Sequence, residues 1–317
     1  MAILQRNRWR IVGIVLVCTV FDIVVHYFGP DALEIGLPKS TIVKNGLLIP
    51  AVMLLFFITF GALAVVFVLI EDTLPGTGLH GGLLYGLSFG GLWFIGMFEP
   101  GTSPLWLSLF SGLADGLPIL LLGVLLGVFT ATDTGSSLEQ RAANPMLPIV
   151  TVALLYTIGR YFAFAIIRID SAYSTLPFAT FFWTVGMGLW VGGMYQLLKQ
   201  GLKGTSPLKR ALMFGGAIYG TDWLLYHLFM SLFFDISLAD LVLRAGTDAI
   251  FVAVGVFIFE RFVSMPSSRQ QVVDSARTAS LGMKCTTSVE TPCHRALAGQ
   301  PSRTTPGLTP ALAAELR

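Results

Sequence analysis

Apolar residues fall in long blocks along this chain, each closed by a short run of polar residues, glycine or proline. The blocks lie at 10–28, 47–70, 80–98, 104–129, 146–167, 177–198, 210–234 and 240–262. A helix rises 1.5 Å per residue, so roughly 20 apolar residues cross a hydrocarbon layer about 30 Å thick. Lipid offers no hydrogen bonds to peptide groups, so each crossing segment must satisfy its own backbone as a helix. The pattern predicts an all-α, polytopic transmembrane helix bundle of about eight spans. The junctions carry fitting breakers: Gly29 with Pro30, Pro75 with Gly76, Pro100 with Gly101, Asn144 with Pro145, and Ser206 with Pro207. Ser103 before Pro104, and Ser206 before Pro207, read as helix starts, serine capping and proline taking the first helical position.

Beyond Met265 the chain changes to Ser, Thr, Pro, Gln and Arg with few aromatics. Such a segment buries too little to offset its ordering entropy, so 265–317 reads as a disordered tail. Composition agrees with the block pattern. Hydrophobic residues make up 54%, charged residues 12%, and the mean hydropathy is +0.75. A soluble domain carries about 25% charged residues. A net charge of +2 without a basic, aromatic-interleaved stripe excludes nucleic acid as a partner. The partner implied is the lipid bilayer.

Lysine and arginine in short flanks orient the spans. One side collects Arg6, Arg8, Arg10, Arg141, Lys199, Lys203, Lys209, Arg210, Arg261 and Arg269; the other holds Lys39, Lys44 and Arg168. Both termini are expected in the cytoplasm, the protein in a plasma or inner membrane. The basic N-terminus resembles a signal peptide, but Asp22 and His26 interrupt its apolar run and no small-residue cleavage site follows. The segment reads as a retained first span.

The two halves look duplicated. Ile11, Val12, Leu16 and Thr19 match Ile149, Val150, Leu154 and Thr157 at one constant offset. Pro50 and Gly61 match Pro177 and Gly188, and Gly86, Gly90 and Trp93 match Gly216, Gly220 and Trp223. The matches pair spans 1 with 5, 2 with 6 and 3 with 7. Asp115 aligns with Asp248 or with Asp240, and the register stays open. The reading is two same-topology repeats, 1–134 and 135–264, followed by a cytoplasmic tail. A four-span repeat ends on its starting side, which relates the halves by an axis along the membrane normal.

Glycines recur at helical spacing: Gly82, Gly86 and Gly90; Gly112, Gly116, Gly123 and Gly127; Gly188 and Gly192; Gly216 and Gly220. Such stripes let helix backbones approach closely. They would serve a monomeric bundle and a homo-oligomer equally.

Charges within a bilayer are costly and mark function by default. Asp115 and Asp222, entering from opposite sides, each lie on the order of 16–18 Å from their helix starts. Asp222 shares a face with Tyr219 and Tyr226 and ranks first as a solute or ion site, with Asp115 and His227 as further candidates. His227 lies too far round the helix to partner Asp222. Asp22 with Arg160, and Arg244 with Asp248, read as neutralising ion pairs. Cys18, Asp22 and His26 line one face of the first span, but that set mixes soft and hard ligands on a single helix, so no metal site is assigned. His80 and Glu99 sit at span ends and read as interfacial. Cys293 beside His294 lacks the close cysteine of a zinc or haem motif. No cofactor is called for. No His-Glu-x-x-His appears and no helix bears two acids on one face, which argues against an enzyme; Gly86-Leu87-Ser88-Phe89-Gly90 has Gly-x-Ser-x-Gly spacing but lies inside an apolar block and not at a strand-to-helix turn. The expected function is a secondary transporter or channel for a small solute or ion, coupled through intramembrane aspartates. A non-catalytic membrane component is the alternative, and an intramembrane enzyme ranks last.

Overall fold

The computed structural model describes residues 2–29, 37–71, 74–76, 78–131, 145–202 and 206–263. The expected tail, together with Arg141, Lys203 and Arg269, lies outside them. Among the described residues the protein is all-helical, with one isolated antiparallel bridge between Lys39 and Phe234.

The helices stand where the apolar blocks predict them. They are α1 (Ala2–Tyr27), the single turn α2 (Thr41–Lys44), α3 (Leu48–Ile70), α4 (Gly78–Gly96) and α5 (Leu105–Phe129). Then follow α6 (Met146–Phe162), α7 (Pro177–Leu198), α8 (Pro207–Ala211), α9 (Thr221–Phe233) and α10 (Leu238–Ile258). Widened π turns extend α6 through Ala163–Ile167, join α8 to α9 through Leu212–Gly220, and extend α10 through Phe259–Val263. Among the described residues, five segments are long and apolar enough to cross a membrane: Arg8–Tyr27, Leu48–Ile70, Leu105–Phe129, Met146–Ile167 and Leu238–Phe262. Helices α4 and α7 have the length, at 19 and 22 residues, but glycine, threonine and the polar-tipped Trp and Tyr dilute their apolar character.

Helix starts follow the local chemistry. The Val43 backbone N–H donates to Ser40 Oγ at 3.1 Å, and the Lys209 N–H donates to Ser206 Oγ at 3.4 Å ahead of Pro207. At α5 the expected cap shifts by one residue. Pro104 has an extended backbone and occupies the capping position itself, so Ser103 Oγ lies instead 2.7 Å from Ser108 Oγ.

Polarity is arranged as lipid solvent requires. Leu54, Ile250 and Phe182 are 61%, 62% and 70% exposed, whereas Asp22, Arg160 and Asp248 are all fully buried. An apolar exterior around charged interior contacts is the mark of an integral membrane protein.

Helix α1 packs on α3 and α5, α6 packs on α7 and α10, and α4 packs most extensively on α5. The glycine stripes make these contacts. A methyl group built on Gly86 would stand 2.8 Å from the Leu120 carbonyl oxygen, and one on Gly90 2.6 Å from that of Gly116. Gly82, Gly123 and Gly127 are tighter still, and Gly188 and Gly192 meet the α6 backbone at Ala153 and Ile149. All of these contacts lie within one chain. The expected Gly216/Gly220 stripe is displaced. Hydrogen bonds of the i→i+5 type widen the helix over 212–220, so Gly215 and Gly220 face Ala253 and Ala249 of α10. Gly216 has no neighbour within 4 Å.

Candidate functional site

On α1, Asp22 and His26 stand one turn apart and share a face. His26 Nδ1 lies 3.0 Å from the Asp22 backbone carbonyl. A carbonyl oxygen only accepts, so Nδ1 carries a proton and donates it. The other ring nitrogen, Nε2, lies 3.3 Å from Asp115 Oδ1 of α5. Asp22 Oδ2 lies 3.5 Å from Nδ1, and neither carboxylate oxygen of Asp22 has a hydrogen-bond donor. Asp22 and Asp115 are buried, the His26 side chain is 35% exposed, and Phe56 of α3 packs 6.1 Å from the His26 ring. One donor-capable atom from each of the three residues falls within 4.8 Å of the others. Two carboxylates and one imidazole form a group that holds a cation well and an anion badly. Pro118 lies three residues beyond Asp115 and cannot donate to the Ala114 carbonyl, which loosens the turn that carries Asp115.

A second charged group lies between α6, α10 and the α4–α5 connection. Arg160 Nε is 3.2 Å from Asp248 Oδ2, both side chains fully buried, and Arg160 Nη2 is 3.8 Å from Glu99 Oε2. Arg244 Nη1 donates to Glu99 Oε1 at 2.7 Å, and its Nη2 approaches Asp240 Oδ2 at 3.4 Å and donates to the Asp170 carbonyl. Trp223 Nε1–H donates to Asp248 Oδ2 at 2.7 Å. The Arg160 guanidinium also lies 5.1 Å from the Trp183 ring, so its charge is compensated on several sides. Burial works against a charged Glu99 in its connection outside the helices. The nearby Arg244 and Arg160 guanidiniums outweigh it and hold the carboxyl below the usual carboxylate range.

Asp222 is placed differently. Trp93 Nε1–H of α4 donates to its Oδ1 at 3.1 Å, while Oδ2 has no hydrogen-bond partner. It lines a cavity of about 10 Å³ with Thr221 and apolar neighbours from α3 and the 212–233 segment, room for one water at most. Tyr219 and Tyr226 both stack on Trp223, at 6.0 and 4.7 Å, and do not cradle Asp222. His227 Nδ1 donates to the Trp223 carbonyl at 2.9 Å, and its ring meets Trp223 edge-on. No hydrogen bond joins Asp222 to His227 or to Asp115.

The expected pairings are therefore rearranged. Asp22 and Arg160 do not meet: Asp22 joins His26 and Asp115, and Arg160 joins Asp248 and Glu99. Arg244 does not pair with Asp248, because its long side chain reaches toward the end of α10, where Asp240 and Glu99 lie, while Asp248 sits one turn deeper facing α6. Contacts with Glu99 and Asp170 in the connections leave Arg244 buried, 9% exposed. Glu99 was placed at the interface by its position at a span end, yet it bridges two arginines. Nothing in the local pattern announces this, since Arg160 and Arg244 are far away in sequence. At the opposite ends of the helices a third group joins Glu260 to Tyr195 and, at 2.5 Å, to Arg210. No family model, curated protein or solved structure matches the chain.

Proposed function

We propose that this protein is a secondary carrier for a small cation, and that Asp22, His26 and Asp115 bind the cation. Its eight spans form two four-helix repeats of the same topology, 1–134 and 135–264, with both termini and the tail at 265–317 in the cytoplasm. The observation that carries this reading is an inequality between equivalent positions. Asp22 and Arg160 correspond in the repeat alignment, and so do Asp115 and Asp248 in one of its two registers. In the second half the pair is Arg160 with Asp248, a closed ion pair at 3.2 Å. In the first half an aspartate stands where the arginine would be, facing a second aspartate across His26. The second half supplies its own fixed cation; the first half needs an exchangeable one.

The packing supports the duplication. Within the first set, span 1 packs on spans 2 and 4, and span 3 on span 4; the second set repeats this with α6 on α7 and α10, and the 207–233 segment on α10. Between the sets, α3 meets α9 and α4 meets α7. Exchanging the halves converts each of those two contacts into the other, as a two-fold axis demands. The connections obey the same exchange. Asp235 N–H donates to the Pro38 carbonyl at 2.8 Å, and Gly101 lies against Ala172.

The test is charge movement in proteoliposomes holding the full chain, read on a solid-supported membrane after concentration jumps of NaCl, KCl, MgCl2 and MnCl2. At least one jump is expected to give a current that Asp22→Asn and Asp115→Asn each abolish. No current with any of the four salts, or currents unchanged in both variants, would overturn the carrier reading.

A further inference from the structure

Three features of the α1–α5 group bear on which cation it takes. The first is the His26 tautomer. With Nδ1–H donated to the Asp22 carbonyl, Nε2 is directed at Asp115 Oδ1 at 3.3 Å. A positive charge must stand there, either a proton on Nε2 or a cation that displaces it. A histidine whose far N–H is tied to a backbone carbonyl is also the usual outer-shell arrangement of a metal ligand, fixing the ring and raising its basicity.

The second is spacing. Metal bonds of about 2.0–2.1 Å in a tetrahedral site set donor–donor edges at about 3.3–3.4 Å. The Nε2 to Oδ1 separation of 3.3 Å matches such an edge, and one ligand atom from each of the three residues lies within 4.8 Å of the others. The third is Asp22 itself, fully buried, with no hydrogen bond to either carboxylate oxygen and only His26 Nδ1, 3.5 Å away, beside it. A buried carboxylate left without donors is costly unless a positive charge completes it.

We infer that Asp22, His26 and Asp115 form a binding site for a divalent first-row transition-metal ion, with His26 Nε2 and one oxygen from each carboxylate as ligands. The third ligand comes from α5 and replaces Cys18 of the one-helix set. Two oxygens and one imidazole nitrogen are too few and too mixed for Ca²⁺, which takes 6–8 oxygen ligands, and Mg²⁺ also prefers oxygen. Zn²⁺, Co²⁺ and Mn²⁺ accept this donor set, with water completing the shell. The 35% exposure of the His26 side chain supplies an entry path. That the ion is then moved across the membrane rests on the carrier reading; the binding does not.

The experiment titrates Co²⁺ into the detergent-solubilised full chain carrying Cys285→Ser, Cys293→Ser and His294→Ala, so that the tail offers no competing soft ligands. One equivalent is expected to bind, with the intensified visible absorption of low-coordinate Co²⁺. Asp22→Asn, Asp115→Asn and His26→Ala should each weaken binding by more than the roughly 10–100-fold typical of outer-shell changes. Asp115→Glu keeps the carboxylate and should bind within about tenfold of the parent, which separates ligand loss from misfolding. Failure of the parent to take up Co²⁺, or uptake unchanged in Asp115→Asn, would overturn the metal site. Currents driven by Na⁺ or K⁺ without Co²⁺ binding would sink this inference and leave the carrier standing. Co²⁺ binding with no current for any salt would do the reverse.

Discussion

Replacing Arg160 with leucine removes the cation that two buried acids share. Its Nε stands 3.2 Å from Asp248 and its Nη2 3.8 Å from Glu99. With an effective dielectric constant of about 20, those separations give gross attractions of about 5 and 4 kcal/mol. Desolvating the charges costs several kcal/mol per ion, so the intact group contributes little net stability. Removing one partner is a different matter. The acids stay buried with fewer counter-charges, and the expected loss is about 3–5 kcal/mol. Asp248→Asn should cost less, about 1–3 kcal/mol, because Trp223 Nε1–H can still donate to the amide oxygen and Arg160 keeps Glu99. The double variant should then fall short of the sum of the two singles by about 2 kcal/mol, within the usual coupling range of contacting residues. Steric trapping in bicelles measures all four unfolding free energies. Additivity of the two substitutions, or a cost below about 1 kcal/mol for Arg160→Leu, would refute the ion pair as the organising contact of the second half.

Gly90→Ala should destabilise by about 1–3 kcal/mol, since its methyl would stand 2.6 Å from the Gly116 carbonyl oxygen, while Gly216→Ala, with no neighbour within 4 Å, should be neutral in thermal melting. Asp222→Asn keeps an acceptor for Trp93 Nε1 at a site with room for one water, so its cation-driven currents should stay near the parent's while those of Asp115→Asn vanish; loss of current in Asp222→Asn would return that residue to the transport path. Glu99 carries a lowered pKa in the folded state, so its contribution is present above the unfolded carboxylate value of about 4.3 and is lost as pH falls through the lower folded value. The detergent-phase melting temperature should accordingly fall as the pH drops below about 4.3, and Glu99→Gln should flatten that fall while lowering the plateau; an unchanged acid limb in Glu99→Gln would remove Glu99 from the network.

How much of this was legible in the chain depends on the range of the interaction. Helix positions follow from local chemistry: the apolar blocks need about 20 residues to cross the hydrocarbon, and Ser206 with Pro207 starts α8 wherever the chain goes. The glycine spacing likewise announced close helix contacts, because residues four apart share a face in any regular helix. That inference failed only where the helix is irregular. Over Leu212–Gly220 the widened turns shift the contact from Gly216 to Gly215. Which charge meets which was beyond the sequence. Periodicity gives a side chain's face on its own helix, but its partner depends on crossing angles and connections that join residues far apart. So Asp22, a plausible mate for Arg160 by depth, turns to His26 and Asp115, while Arg160 is taken by Asp248 and Glu99. The sequence by itself determined a membrane-embedded helical protein with costly buried charges. Only the tertiary structure decided which of them close on each other and which group, Asp22 with His26 and Asp115, gathers two acids around one histidine, because electrostatic partnership in a low-dielectric interior is set by ångström-scale proximity.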